Sequence, residues 1–216
     1  MLLNSRWLVL AWMMIAQFAL GDGVFEKPQA IDRTAQLIRQ LDQLQTLSAS
    51  FIQTTVNGQQ HVVQQARGQL WVSTPGRFRL ETLEPAIQTL VSDGETFWSF
   101  DSDLEQVIIT RLQRDITQVP ILLLGGDAKA ITDEYQVAYF SEDQHDFFVL
   151  EPREGGSLFE SLTIVFAADT PVSIVLRDSL GQRTQIELTD VNRNHQIPSA
   201  TFTLIPPVGA DVIDDR

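Results

Sequence analysis

Three histidines are the natural place to look for chemistry in this chain. His61, His145 and His195 all sit in polar, loop-like surroundings, beside Gln59-Gln60, Asp143-Gln144 and Asn192 to Asn194 respectively. None belongs to an HExxH or His-x-His spacing that would set two imidazoles on one metal. Asp143, His145 and Asp146 carry the residue types of an acid–base site, but acids beside a loop histidine read as solvated charge. Ser157 follows Gly155-Gly156 and does not stand in a G-x-S-x-G elbow. There is no P-loop and no dinucleotide fingerprint. Zero cysteine removes thiol nucleophiles, disulfides and cysteine-ligated metals together. The run Asp101-Ser102-Asp103-Leu104-Glu105 alternates acids as a calcium loop does. An EF-hand needs Gly at its sixth place and Glu at its twelfth, and here Gln106 and Leu112 stand there. A hairpin turn, with Asp101 bonded to its own backbone, accounts for it. The chain reads as a non-enzyme with no catalytic residue, metal or cofactor.

The elements around these residues read as sheet. Gln69–Ser73, Phe78–Thr82, Gln88–Ser92 and Thr96–Phe100 are rich in aromatic and β-branched residues, and Thr74-Pro75-Gly76, Glu84-Pro85 and Asp93-Gly94 separate them. Asp93-Gly94 between apolar runs predicts a hairpin, with Trp98 and Phe100 on one face. Upstream, Ile31, Ala35, Ile38, Leu41 and Leu44 or Leu47 recur at helical spacing and predict one amphipathic helix from Pro28. A strand over Ser48–Thr55 follows, with Phe51 at its centre, and Asn57-Gly58 turns into the next. Later strands are expected at Val107–Thr110, Gln136–Phe140, Phe147–Glu151, Leu162–Phe166, Val172–Leu176, Thr184–Thr189 and Thr201–Ile205.

A sheet of about ten or more strands must curl, split or close to hide its apolar face. With so little helix available, an incomplete antiparallel β-barrel plugged by helices is the economical architecture. Its cavity is expected to be lined by Phe51, Leu70, Phe78 and Leu80, by Trp98 and Phe100, and by Phe202 and Leu204. Ordinary core packing is the competing reading for each of these side chains.

Met1 to Gly21 has one charge, Arg6, then an apolar run from Trp7 to Leu20 and the small-x-small triplet Ala19-Leu20-Gly21. This predicts a secretory signal peptide over 1–21 and a single domain over 22–216. The apolar run is shorter than the ~20 residues of a spanning helix. Without a cysteine at the cleavage point, no lipid tether is expected. Formal net charge is −13, and no clustered basic surface is visible, so nucleic acid is disfavoured as a partner. Acidity of this size suits a dispersed monomer that does not stick to anionic headgroups.

Three stretches carry a family likeness. They are G-x-L-W-V-x-x-P-x-x-F at Gly68–Phe78, L-V-S-D-G at Leu90–Gly94 followed by W-x-F-D, and F-x-L-x-P-P-x-G-x-D-V-I from Phe202 to Ile213. In these the chain resembles the LolA family of periplasmic outer-membrane lipoprotein carriers, over essentially its whole mature length. The resemblance implies a periplasmic chaperone that binds lipoprotein acyl chains. Loading would come from an inner-membrane ABC transporter and unloading would go to an outer-membrane receptor; a carrier of another lipid or glycolipid is the alternative. It also implies that the apolar segment Ile116 to Gly126 forms short helices over the mouth of the sheet, with Ala128–Glu134 the last of them. Ile116, Val119, Ile121, Leu122, Leu123 and Leu124 are then lid residues, and Gly125-Gly126 permits a joint. Arg77 and Arg79 alternate with Phe78 and Leu80, should face outward, and are the basic candidates for docking the transporter. One departure stands out: the family's best-studied branch has Arg before the Pro of the V-x-R-P turn, where this chain has Thr74. A latch built on that Arg is not carried over, so lid closure is expected to rest on apolar packing.

Overall fold

A computed structural model describes residues 33–112, 121–125, 133–153 and 159–216. The expected signal peptide, Ile31 and most of the segment around Ala128 lie outside them. Helix α1 (Thr34–Asp42) buries Leu37 and Leu41 on its apolar stripe. It ends at Asp42, so Leu44 and Leu47 do not extend the stripe; Leu44 lies in the turn and Leu47 in the first strand, both buried in the same core.

The strands are β1 (Thr46–Val56), β2 (Val62–Ser73), β3 (Arg77–Glu84), β4 (Gln88–Asp93), β5 (Thr96–Asp101) and β6 (Gln106–Arg111), then, after helix α2 (Leu122–Gly125), β7 (Tyr135–Glu142), β8 (His145–Pro152), β9 (Phe159–Ala167), β10 (Thr170–Asp178), β11 (Arg183–Arg193) and β12 (Asp211–Asp215). They form one sheet in the order β12-β6-β5-β4-β3-β2-β1-β11-β10-β9-β8-β7, whose two ends do not pair with each other. The fold is mostly β, an open, unclosed sheet. Every pairing is antiparallel except β12 on β6.

Short polar side chains fix the hairpins. Asp93 Oδ1 accepts the Glu95 and Thr96 amides at 2.9 and 2.7 Å, and Gly94 takes φ +102. Asp101 Oδ1 accepts those of Asp103 and Leu104 at 3.0 and 3.1 Å, the self-bonded turn expected at this place. Asn57 and Asp178 act in the same way in the turns that follow β1 and β10.

Register then sorts the side chains, because neighbours across a sheet point to the same side. Leu47, Ala49 and Phe51 share the inner face with Leu70, Val72, Phe78, Leu80, Leu90 and Phe97, and on the other half with Leu188, Ile174, Ile164, Leu162, Phe148 and Leu150. Leu37 and Leu41 of α1 and Ile121, Leu123 and Leu124 complete this core.

The outer face of β1 to β6 is covered differently. Val91, Trp98 and Ile109 face each other across three strands, as do Thr89, Phe100 and Val107. Over them runs the segment from Asn194, which contains a 3-10 helix at Ser199–Phe202. The strand expected at Thr201–Ile205 is therefore not formed. Pro198 precedes the 3-10 helix, and Pro206-Pro207 has no amide hydrogens to give a ladder. Phe202 is buried against β3 and β4, with the Arg77 guanidinium 5.6 Å from its ring centre.

Candidate functional site

On the inner face a cavity of about 270 Å³ opens beside Phe51, Leu70, Leu80, Leu90, Ile121 and Ile186. Its polarity changes along one direction. Moving two residues toward one end of each strand leads from Phe51 to Gln53 on β1, from Leu80 to Thr82 on β3, from Leu90 to Gln88 on β4 and from Ser99 to Asp101 on β5. Gln64 and Ala66 extend the same end on β2. Toward the other end the face is closed by Phe78 and Phe97, whose rings lie 6.1 Å apart.

Two glycines let backbones approach here. At Gly68, opposite Phe51, an added Cβ would stand 1.8 Å from the Glu81 carbonyl oxygen and 2.8 Å from Phe51 Cε1. At Gly125 it would stand 2.7 Å from Val72 Cγ1. The Gly125 carbonyl accepts the Gly76 amide at 2.7 Å, so α2 is joined to the turn between β2 and β3. The sequence suggests a free joint at this glycine; the structure has it as a close-packing position. Thr74, in that turn, gives both its amide and its hydroxyl to the Gln45 carbonyl, at 3.0 and 3.2 Å. Among the described residues, the cover over the cavity consists of Ile121, Leu123 and Leu124, each no more than 2% exposed, and the backbone hydrogen bond from Gly76 to Gly125. Ile116 and Val119 lie outside the described residues, as does the side chain of Leu122.

Of the eight residues expected to line the cavity, Phe51, Leu70 and Leu80 do so, and Phe78 seals its end. Trp98 and Phe100 share one face as expected, but it is the outer one. The pairing of Trp98 with Val91 and Ile109 puts Phe97 inside in their place. Phe202 packs on that outer face, and Leu204, half-buried, follows it in the same segment. Arg77 and Arg79 do face outward, yet neither guanidinium is free. Arg77 donates to Ser73 Oγ at 2.9 Å and covers Phe202; Arg79 pairs with Glu81 at 2.6 Å and reaches the Thr201 carbonyl at 3.4 Å. Their observed partners belong to the C-terminal segment and its surroundings. A residue without a sequence signal of its own, Asn194, holds the start of that segment. With φ +54 it accepts the Gln45 amide at 2.8 Å and donates to the Gln43 carbonyl at 2.9 Å.

The histidines take no part in the cavity. His195 meets Ser48 Oγ at 3.3 Å under the C-terminal segment, His145 Nδ1 meets the Asp143 carbonyl at 2.9 Å, and Asp146 accepts from the Tyr139 hydroxyl at 2.8 Å. His145 thus meets Asp143 only at its backbone carbonyl, and the Asp146 carboxylate is taken by Tyr139. The hydrogen bond to Asp146 holds the Tyr139 phenol above its ordinary pKa. Among the described residues, no group of three or more His, Cys, Asp and Glu could hold a metal ion, and no helix is long and apolar enough to cross a membrane.

An open, mostly antiparallel sheet with a cavity on its inner face that is apolar at one end and covered there by a short buried helix has the form of an unclosed half-barrel able to hold apolar chains. The model of the outer membrane lipoprotein carrier protein LolA matches residues 42–205, and the chain belongs to that family. An outer-membrane lipoprotein carrier protein of Chromohalobacter salexigens is 39% identical over 173 residues, 80% of this chain and 82% of that protein. One from Pseudomonas paraeruginosa is 36% identical over 205 residues, 94% of this chain and 97% of its own length. The solved structure of an uncharacterized conserved protein from Thermus thermophilus superimposes with a TM-score of 0.52 at 14% identity, covering 84% of this chain and 97% of that one, a likeness of fold alone.

Proposed function

We propose that this chain is a periplasmic chaperone that receives the acyl chains of outer-membrane-directed lipoproteins in the inner-face cavity and carries them across the envelope without covalent chemistry. The observation that carries the reading is the apolar cavity under a helix that is itself held by apolar burial, in a member of the lipoprotein carrier family. Each methylene withdrawn from water contributes ~0.8 kcal/mol, so a bare pair of chains in solution is strongly disfavoured and a covered pair is tolerated. The cavity of about 270 Å³ is below the ~300–1,000 Å³ of ordinary ligand pockets. Lipid entry therefore displaces Ile121, Leu123 and Leu124 from the wall they cover. Competition between these side chains and the acyl chains keeps affinity moderate, which permits handover.

Export would use residues 1–21 as the signal, loading an ATP-driven inner-membrane transporter, and unloading an outer-membrane receptor. Docking of the transporter through Arg77 and Arg79 would require the C-terminal segment to give way first, since it already occupies them. The test is a release assay in which purified protein is added to spheroplasts. A lipoprotein recovered from the supernatant in soluble complex with the protein supports carriage. No release, with an intact uptake of a fluorescent acyl probe, moves the cargo to another lipid or a glycolipid.

A further inference from the structure

The cavity is not uniformly apolar, and its one described charged lining residue is an acid. Asp101 lies on β5 directly across from Gln88 on β4, which in turn lies across from Thr82 on β3, while Gln53 and Gln64 face the same end from β1 and β2. Among the described residues nothing takes the side-chain amides of Gln53, Gln64 or Gln88. Asp101 Oδ1 is committed to the turn at Asp103 and Leu104. Asp101 nonetheless lines the cavity at its polar end, half-buried. An acyl chain inserted with its methyl end toward Phe78 and Phe97 brings its polar junction to this ring.

Resting on the reading of the cavity as an acyl site, we infer that this polar end selects the chemistry of the acyl chain's head. Neutral ester and amide junctions, such as those of an acylated cysteine, are accepted by the free amides and the Thr82 hydroxyl. Chains ending in an anion, a free fatty acid above all, are repelled by Asp101. Amides can donate to ester carbonyls and accept from an amide N–H. Two like charges near a low-dielectric wall repel by an amount that converts to a difference on the order of threefold to tenfold in affinity. Discrimination of this kind keeps a carrier of acylated protein from filling with loose fatty acids.

The experiment is competition against an uncharged fluorescent acyl ester bound to the purified protein, with oleate and monooleoylglycerol as competitors at about pH 8, where carboxyls are ionised. Monooleoylglycerol should compete on the order of threefold to tenfold better than oleate. Asp101→Asn should close that gap, strengthening oleate more than monooleoylglycerol, because it removes the charge while keeping the Oδ1 acceptor that the turn at Asp103 uses. A second measurement needs no variant: the oleate to monooleoylglycerol ratio should approach unity between about 10 mM and about 1 M salt, as the Debye length falls from about 30 Å to about 3 Å. Equal competition by the two lipids at low salt, or a gap untouched by both Asp101→Asn and salt, overturns the inference while leaving the cavity an acyl site. If the acyl ester probe itself does not bind, the acyl reading falls, and this inference with it.

Discussion

The inner face of this sheet is covered by apolar contact and the outer face by contacts that are also directional. Inside, Ile121, Leu123 and Leu124 lie on aliphatic and aromatic neighbours, and among the described residues a backbone hydrogen bond from Gly76 to Gly125 fixes the helix end. Outside, Phe202 is held beneath the Arg77 guanidinium, Thr201 by Arg79, and the entry to the segment by both ends of the Asn194 amide. Apolar burial has no preferred partner, so a hydrocarbon chain can replace a leucine at little net cost. A cation over a ring, or an amide bonded at both ends, has no such substitute. On the proposed reading, the face that exchanges its contents is the one whose described cover has the fewer directional bonds.

Variants should separate the two faces. The largest effect is expected at the inner face itself: Gly68→Ala drives a methyl into the Glu81 carbonyl and should lower stability by about 3–5 kcal/mol, read as a shift of the urea midpoint. An unshifted midpoint would mean that β2 and β3 can slide past one another. Next come two phenylalanines, each costing about 3 kcal/mol or more on truncation. Phe51→Ala should also change acyl-probe affinity, whereas Phe202→Ala should leave it unchanged in the folded protein. A matching loss of affinity in both would erase the distinction between the faces.

Asn194→Ala removes hydrogen bonds to Gln45 and Gln43 and should cost about 2 kcal/mol, with faster amide exchange at those positions. Arg77→Met, which keeps the stem over Phe202 and loses the cation, should cost about 1 kcal/mol or less. The smallest effect is expected at Tyr139. Its folded pKa is raised by the bond to Asp146, so the stabilisation is complete below the unfolded phenol pKa and is lost as pH rises through the folded value. Ultraviolet titration of the chain's two tyrosines, Tyr135 and Tyr139, should show a phenol titrating above its ordinary range, and Tyr139→Phe should abolish that transition.

Much of the fold could be read from residue patterns because hairpin chemistry is local. Asp93-Gly94, Asn57-Gly58 and Asp101 act within four residues, and each turns the chain where expected. The inward parity of Phe78 and Leu80 is legible because Arg77, Arg79 and Glu81 alternate with them; Phe51 beside Ile52 and Leu70 beside Trp71 carry a weaker alternation. In Thr96-Phe97-Trp98-Ser99-Phe100 aromatics occupy both parities, so alternation cannot say which faces in, and the pairing with β4 decides. Phe202 misleads for another reason: its F-x-L spacing looks like a strand, but a strand needs a neighbour with free amides, and the prolines on either side deny it. Asn194 and the polar end of the cavity give no local signal, since both arise from residues brought together across the sheet.

The C-terminal segment has a mechanical consequence. It leaves the middle of the sheet at Asn194, crosses the outer face over β3 and β4, and is fastened again where the Asp211 amide meets the Glu105 carbonyl at 2.8 Å before β12 joins β6. The outside of a curved sheet lengthens as the curve tightens, so a strap of fixed length fastened at both ends limits how far the sheet can roll up. Such a strap would resist tightening of the sheet, whose edge strands β12 and β7 do not pair.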